Sequence, residues 1–377
     1  MQKEFTSDQH QFRQSLARFM QAKSTPVDVR RQMLTEQGYD AEVWQQLCAE
    51  LGVAGIHIPE QYGGFGFGQI ELGIVMEEMG KNLFCGPFLA SSVMASSALL
   101  HCASEAYKEQ LLPDIAMGVS IVTLVLDSLD GPEDVGSLLH EDGGVLNGAA
   151  KIVLDAASAD LMLVVASSSS GLGLFLVRAN DTGVNVTSRE SLDPTRKLSE
   201  VALINVSAQR VGDVDLGNLR EIWRDCSVAL AHEMVGGAQH LLTSTVEYTK
   251  LRVQFGRPIG SFQALKHRCA DLLMEVEFAR AATYHAARLL DVGNAAGLAA
   301  VNESEAEVYA PHMAKALAAD TYCNVARAAV QLRGGIGFTW EDDTHLWFKR
   351  AKSSEVLLGG PDRHREWMMQ LIEGEVS

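Results

Sequence analysis

The sequence has no CxxC pair, no long apolar run and few basic residues for its size. Its six cysteines, Cys48, Cys85, Cys102, Cys226, Cys269 and Cys323, are scattered, a spacing that suggests neither a zinc site nor a disulfide framework. Reduced packing residues are expected, and no metal ligand set is identified. The stretch MQKEFTSDQHQFRQSL has no apolar h-region, and no later run approaches the roughly 20 residues of a membrane helix. A cytoplasmic protein without a membrane span is the expectation. With 31 Lys and Arg against 48 Asp and Glu, the formal net charge is −17, which argues against nonspecific nucleic-acid binding. A local basic site for a phosphorylated cofactor stays compatible with that total. No internal repeat is evident, and 377 residues suggest two or three packed units.

Three regions follow from the hydrophobic period. Residues 1–118 read as helical: Phe12, Leu16, Phe19 and Met20 recur at helical spacing, as do Ile70, Ile74, Val75 and Met79. Between them, Gly52 to Gly66 is rich in glycine and reads as a connector, where Gly64 and Gly66 could let backbone approach a ligand. Residues 119–213 change to short β-branched runs, Ile121–Leu126, Asp160–Val165, Leu174–Arg178 and Val201–Val206, which predict a compact antiparallel β domain. Leu146-Asn147-Gly148 is the expected hairpin turn. Residues 214–377 return to the helical period, with helices expected near Ala229–Leu251, Gln263–Leu290, Glu303–Leu332 and Asp362–Glu373. Their wide apolar faces suit a four-helix bundle.

Two segments carry chemistry. Tyr248 to Ala270 holds Lys250, Arg252, Arg257, Lys266 and Arg268 and no acid, in a strongly acidic chain. Arg252 can fork onto a phosphate, Phe255 offers a flat apolar surface, and Ser261 is available to cap the next helix, whose free N–H groups would receive an anion. Read alone, the segment could equally be a basic turn between helices. The second is Gln331-Leu-Arg-Gly-Gly-Ile-Gly337. Its glycines permit close backbone approach, and Gln331 offers a donor and an acceptor, although a glycine helix cap explains the same residues.

Taken together these segments resemble the acyl-CoA dehydrogenase family over nearly the whole chain. Pro59-Glu-Gln-Tyr-Gly-Gly-Phe-Gly66, Glu77-Glu-Met-Gly80, Arg252-x-x-Phe-Gly256 with Phe262-Gln263, and Gln331-x-x-Gly-Gly-x-Gly337 stand at family positions. The resemblance implies a mainly α fold with a helical N-domain, an antiparallel β middle domain and a C-terminal four-helix bundle. It implies FAD as cofactor, an acyl-CoA thioester as substrate and an electron-transferring flavoprotein as acceptor. It also implies that Arg252, Gln254, Phe255, Gln263, Gln331, Gly334 and Gly335 hold the ADP half of an FAD shared across a subunit interface.

The same resemblance marks departures. A carboxylate must take the α-proton, and Leu358 stands where the family usually carries it. Some relatives place the base on the helix before the Arg-x-x-Phe-Gly turn, where this chain has Cys226. Glu233 lies about two helical turns further on, and Gly236 and Gly237 would open a trough for a flat ligand beside it, so Glu233 is the candidate catalytic base. A surface glutamate or a buried ion pair is the alternative. In the β region, Leu126-Asp-Ser-Leu-Asp-Gly-Pro132 and Ile152-Val-Leu154 replace the segments that would hold the flavin ring. Intact ADP motifs beside altered ring and base positions point to an α2β2 enzyme with a second dehydrogenase-like chain, as among enzymes acting on steroid side-chain CoA thioesters. A homotetramer using Glu233 and a noncatalytic scaffold of the same fold are the other readings. Glu341, Asp342 and Glu355 are expected in solvated or structural pairs.

Overall fold

The computed structural model describes residues 5–296 and 305–374. Helix α1 (Ser7–Lys23) starts at a capping box between Thr6 and Gln9, which satisfies backbone donors that a helix start leaves free. Then come α2 (Pro26–Gln32), α3 (Ala41–Leu51) and α4 (Gln69–Lys81). A π-helical segment, Phe88–Ala95, leads into α5 (Ser96–Cys102) and α6 (Glu105–Ala116). Eight strands follow: β1 (Val122–Val125), β2 (Leu139–Asp142), β3 (Val145–Leu154), β4 (Leu161–Ser168), β5 (Gly171–Arg178), β6 (Val184–Arg189), β7 (Leu198–Ser207) and β8 (Gln209–Asp213). The chain closes with α7 (Leu216–Leu251), the two-residue strands β9 (Val253–Gln254) and β10 (Arg257–Pro258), α8 (Gln263–Ala296), α9 (Glu305–Arg333), α10 (Thr344–Val356) and α11 (Pro361–Glu373). The expected helix start at Glu303 lies outside the described residues.

Packing divides the described residues into two compact units. One comprises Val27–Leu72 and Cys85–Ala229 and contains the sheet. Strand order is β6-β7-β3-β2-β4-β5-β8, with β1 also paired to β4. The sheet is mixed rather than purely antiparallel, because β1 and β2 both run parallel to β4. The long excursion through the β2–β3 hairpin lets the chain return beside β1 in the same direction, which a tight turn could not do. Leu146, Val164, Phe175, Val201 and Val206 meet in its core. The hairpin turn lies at Gly143-Gly144, both with positive φ, and not at Asn147-Gly148 as expected. Asn147 sits inside β3, where its Oδ1 accepts from the Asn205 N–H, and Gly148 occupies a register shift. Gly64 also has a local reason: a Cβ there would lie 2.0 Å from the Ile58 carbonyl oxygen, so the loop's own closure requires glycine.

The other unit takes the described residues within Met1–Pro26, Gly73–Phe84 and Leu230–Ser377. Helix α9 packs against α8, α10 and α11. At its centre the Glu77 carboxylate receives Arg13, Arg280 and the Tyr284 hydroxyl, the last at 2.8 Å. Arg280 Nη2 also donates to Gln239 Oε1 at 2.6 Å. Burial and the neighbouring Arg13 push the Arg280 pKa down to about 10, and burial pushes the Tyr284 hydroxyl up to about 12. One buried carboxylate thereby joins α1, α4 and α8, with α7 attached through Gln239.

Candidate functional site

The Arg252 segment folds as a hairpin. Arg257 pairs with Gln254 and Pro258 with Val253, leaving Phe255 and Gly256 as a two-residue turn with φ of +55° and +77°. Positive φ at both positions is the geometry that matches strand twist, and glycine supplies it freely. Phenylalanine does not, so Phe255 holds a strained backbone while its ring is 89% exposed. Its nearest ring is Phe262, edge-on at 6.1 Å, and Phe262 in turn lies under the Arg257 guanidinium at 4.0 Å. Arg252, Gln254 and Gln263 are exposed. Ser261 does not cap the next helix: its hydroxyl donates to the Pro258 carbonyl at 2.7 Å, and α8 begins at Gln263.

The second segment ends α9. Gln331 is exposed, and Gly334 turns the chain with a φ of +66°. A Cβ built on Gly334 or Gly335 meets nothing within 4 Å, so this backbone faces open space rather than its own chain. Arg333, between Gln331 and Gly334, is buried. It donates from Nη1 to Thr245 Oγ1 at 2.6 Å and from Nη2 to Ser244 Oγ at 3.0 Å, while Nε lies 3.2 Å from Asp342 Oδ2. Asp342 is thus a structural pair, as expected, and Arg333 is a residue that composition and spacing did not single out. An exposed guanidinium, a flat ring and open glycine backbone on one unit can together receive an anionic, ring-bearing ligand.

Glu233 is placed differently from the expectation. It is 6% exposed, and its Oε1 accepts from Arg350 Nη1 at 2.9 Å in a pair buried on both sides. The expected trough does not exist. A Cβ on Gly236 would stand 1.9 Å from the Glu77 carbonyl oxygen, and one on Gly237 would stand 2.4 Å from the Tyr322 hydroxyl. The two glycines let α4 and α9 press against α7, which closes the face on which a ligand would approach. Glu233 thus stands in a buried ion pair, the alternative that the sequence left open, with no trough beside it.

Leu358 is equally fixed. It is 1% exposed, with a φ of +61°. The Lys315 ammonium, fully buried, donates to the carbonyls of Ser354, Glu355 and Gly359 at 3.1–3.2 Å around it. His364 Nε2 donates to the Leu358 carbonyl at 3.0 Å, so its Nδ1, 3.0 Å from His312 Nδ1, is the acceptor of that contact. No side chain on this turn takes a proton at residue 358. Cys226 offers none either, because burial pushes its thiol well above the ordinary range.

In the sheet-containing unit, Asp225 Oδ2 accepts from both Ser97 Oγ and His101 Nε2 at 2.9 Å. Hydroxyl and imidazole share one carboxylate oxygen, which is not the hydroxyl-to-imidazole-to-carboxylate order of a nucleophilic relay. Ile152 is half exposed, and Val153 and Leu154 are buried, so this stretch of β3 presents no side-chain donor.

The helical regions, the sheet and the motif residues match the acyl-CoA dehydrogenase pattern, and the comparisons agree. The acyl-CoA dehydrogenase N-terminal domain model matches residues 6–119, and the C-terminal domain model matches residues 227–372. The chain belongs to the acyl-CoA dehydrogenase family. It is 34% identical to acyl-CoA dehydrogenase IpdE2 of Mycobacterium tuberculosis over 369 residues, covering 98% of this chain and 97% of that one. Acyl-CoA dehydrogenase FadE27 of the same organism is 31% identical over 90% of each chain. The ChsE4-ChsE5 complex from Mycobacterium tuberculosis contains a chain of the same fold, with a TM-score of 0.86, 29% identity and 99% coverage of each chain. A chain of the Tcur3481-Tcur3483 steroid acyl-CoA dehydrogenase aligns with a TM-score of 0.84 at 26% identity, over 98% of this chain and 99% of that one.

Proposed function

We propose that this chain is one subunit of an FAD-dependent acyl-CoA dehydrogenase and supplies the ADP half of an FAD site completed by a second dehydrogenase-like chain in an α2β2 assembly. The observation that carries the reading is a contrast between two turns of the helical unit. The Phe255-Gly256 turn is strained, exposed and basic, whereas Leu358 is buried and its side chain cannot take a proton. Arg252 would pair with a phosphate oxygen, Phe255 and Gln254 would bound the nucleotide, and Gln263, Gln331 and the Gly334-Gly335 backbone would meet its sugar or base. These residues fit the ADP half of FAD because they are exposed and the two glycines face open space. Ile152 to Leu154 do not fit the ring half, which needs a donor there.

Bound flavin supplies the hydride acceptor for α,β-dehydrogenation of a thioester. This chain orients that cofactor, while the base and the ring contacts come from the partner. The domain division 1–118, 119–213 and 214–377 belongs to the same reading. So do an acyl-CoA substrate with a bulky or steroid side chain, and an electron-transferring flavoprotein as acceptor. The names of the ChsE4-ChsE5 complex and the Tcur steroid enzyme, each pairing two chains, support the heteromeric part.

The test is expression of the chain alone and together with a second chain of the same fold, reading flavin absorbance, mass and thioester oxidation. The expected complex holds about one FAD for each pair of unlike chains and is active only when both are present. Full flavin occupancy and turnover by this chain alone would overturn the proposal.

A further inference from the structure

Arg333 sits between Gln331 and Gly334, yet its guanidinium is engaged within the chain. Its side chain is 6% exposed. The guanidinium bonds to Ser244 and Thr245 on α7, pairs with Asp342, and lies 5.5 Å from the centre of the Tyr248 ring. The Tyr248 hydroxyl donates to the Arg333 carbonyl at 3.4 Å, which closes the bracket from the other side. The contacted residues occupy the last turns of α7, and Arg252 follows directly, its N–H bonded to the Tyr248 carbonyl at 2.9 Å. One side chain therefore ties the glycine turn that ends α9 to the helical stem of the Arg252 hairpin.

A diphosphate and a nucleoside are joined covalently, so the two segments that hold them must keep a fixed spacing. A spacing that exists before binding avoids the entropy of setting it during binding. Arginine suits the task because its planar fork donates in several fixed directions at once. A lysine ammonium at the same site can keep the Asp342 charge but cannot span both hydroxyls.

From this geometry we infer that Arg333 is a positioning residue, which presets the distance between the Gln331–Gly335 turn and the Arg252–Gly256 hairpin without touching the nucleotide. The inference rests on the reading that these segments hold the ADP half of FAD.

Titration of the purified full chain with ADP, followed by calorimetry well below the melting temperature, tests both and separates them. The wild type is expected to bind ADP, and Arg252→Ala to weaken binding at least tenfold. Wild type that binds no ADP, or binds it equally after Arg252→Ala, overturns the ADP reading and with it the role of Arg333. With that control met, Arg333→Met is expected to weaken ADP at least tenfold, and Arg333→Lys to restore only part of the loss. An unchanged affinity in Arg333→Met overturns the inference and leaves the ADP reading standing, since a purely structural arginine lowers the melting temperature alone. Should Arg333→Met fail to fold, the double variant Ser244→Ala/Thr245→Val removes the α7 bonds and keeps the Asp342 pair. It is expected to lose about threefold or more, and no change in it overturns the inference.

Discussion

Two stretches of α7 carry the residues with the most chemical promise, and they have opposite surroundings. From Leu230 to Ala238 every residue is buried, including Glu233, and the neighbouring helices touch its glycines directly. From Tyr248 into the hairpin the chain becomes exposed and basic, and Phe255 adopts a conformation that costs energy without packing to offset it. A carboxylate among packed helices is committed to its ion pair. An exposed aromatic ring on a strained turn is the outlier from which a functional hypothesis starts.

The largest expected effect tests the buried stretch. Arg350→Ala leaves the Glu233 carboxylate buried without its guanidinium, and Glu233→Gln leaves the reverse, so each should destabilise by about 3–5 kcal/mol in urea unfolding. Arg252→Ala and Phe255→Ala should stay within about 0.5 kcal/mol of wild type and lose flavin instead. If Glu233→Gln kept full stability in an active complex and abolished turnover, the contrast between the two stretches would break and Glu233 would return as a base.

Next in size is a pair of glycine substitutions. Gly236→Ala places its methyl group 1.9 Å from the Glu77 carbonyl oxygen, so two helices must separate, at about 1–3 kcal/mol or more. Gly335→Ala meets nothing within 4 Å and should leave stability unchanged within about 0.5 kcal/mol. A fall in flavin occupancy in Gly335→Ala at normal melting temperature would sharpen the comparison, because space that is empty in the chain would then be space the cofactor needs.

Much of this was legible before the structure. The long period of 3.6 located α7, α8 and α9, and the change to β-branched runs located the sheet. Helix α10 was not legible, because its buried face carries Thr344, His345, Arg350 and Ser354 among its apolar residues and shows no apolar stripe. The hairpin was read as a motif and not as paired strands, since two residues a side are too short for periodicity and phenylalanine hides the usual Asn-Gly signal. One place in the site was open to two readings. Gly236 and Gly237 read alike as a trough for a ligand or a seat for a helix, and only the position of the Glu77 carbonyl decides. Arg333 stood in plain view within a glycine motif, but its partners lie far away in sequence, and nothing in the local pattern reveals them.

Acid should loosen the packed stretch before it affects the hairpin. Burial lowers the pKa of His232 to about 3 and of His240 to about 4, and that of His364 well below its ordinary 6.5. The unfolded chain then binds these protons more readily. The stability they represent is fully present above about pH 6.5 and is lost as pH falls toward the folded values, by about 1.4 kcal/mol per pH unit for each proton taken up. Melting temperatures at pH 7.5, 6 and 5 should fall along that slope.

The smallest effect isolates one of these protons. Neither ring nitrogen of His232 has a hydrogen-bond partner among the described residues, and the ring is wedged between Gly73 and Tyr284, whose ring centre is 4.4 Å away. Replacing it with phenylalanine removes two unpaired polar atoms, worth about 1–3 kcal/mol, and adds a slightly larger ring to a site with no slack. The two nearly cancel, so His232→Phe should lie within about 1 kcal/mol of wild type at pH 7.5 and lose less stability than wild type at pH 5. A pH slope unchanged from wild type would mean that His232 takes no part in acid unfolding, and that the packed stretch of α7 is less sealed than its neighbours imply.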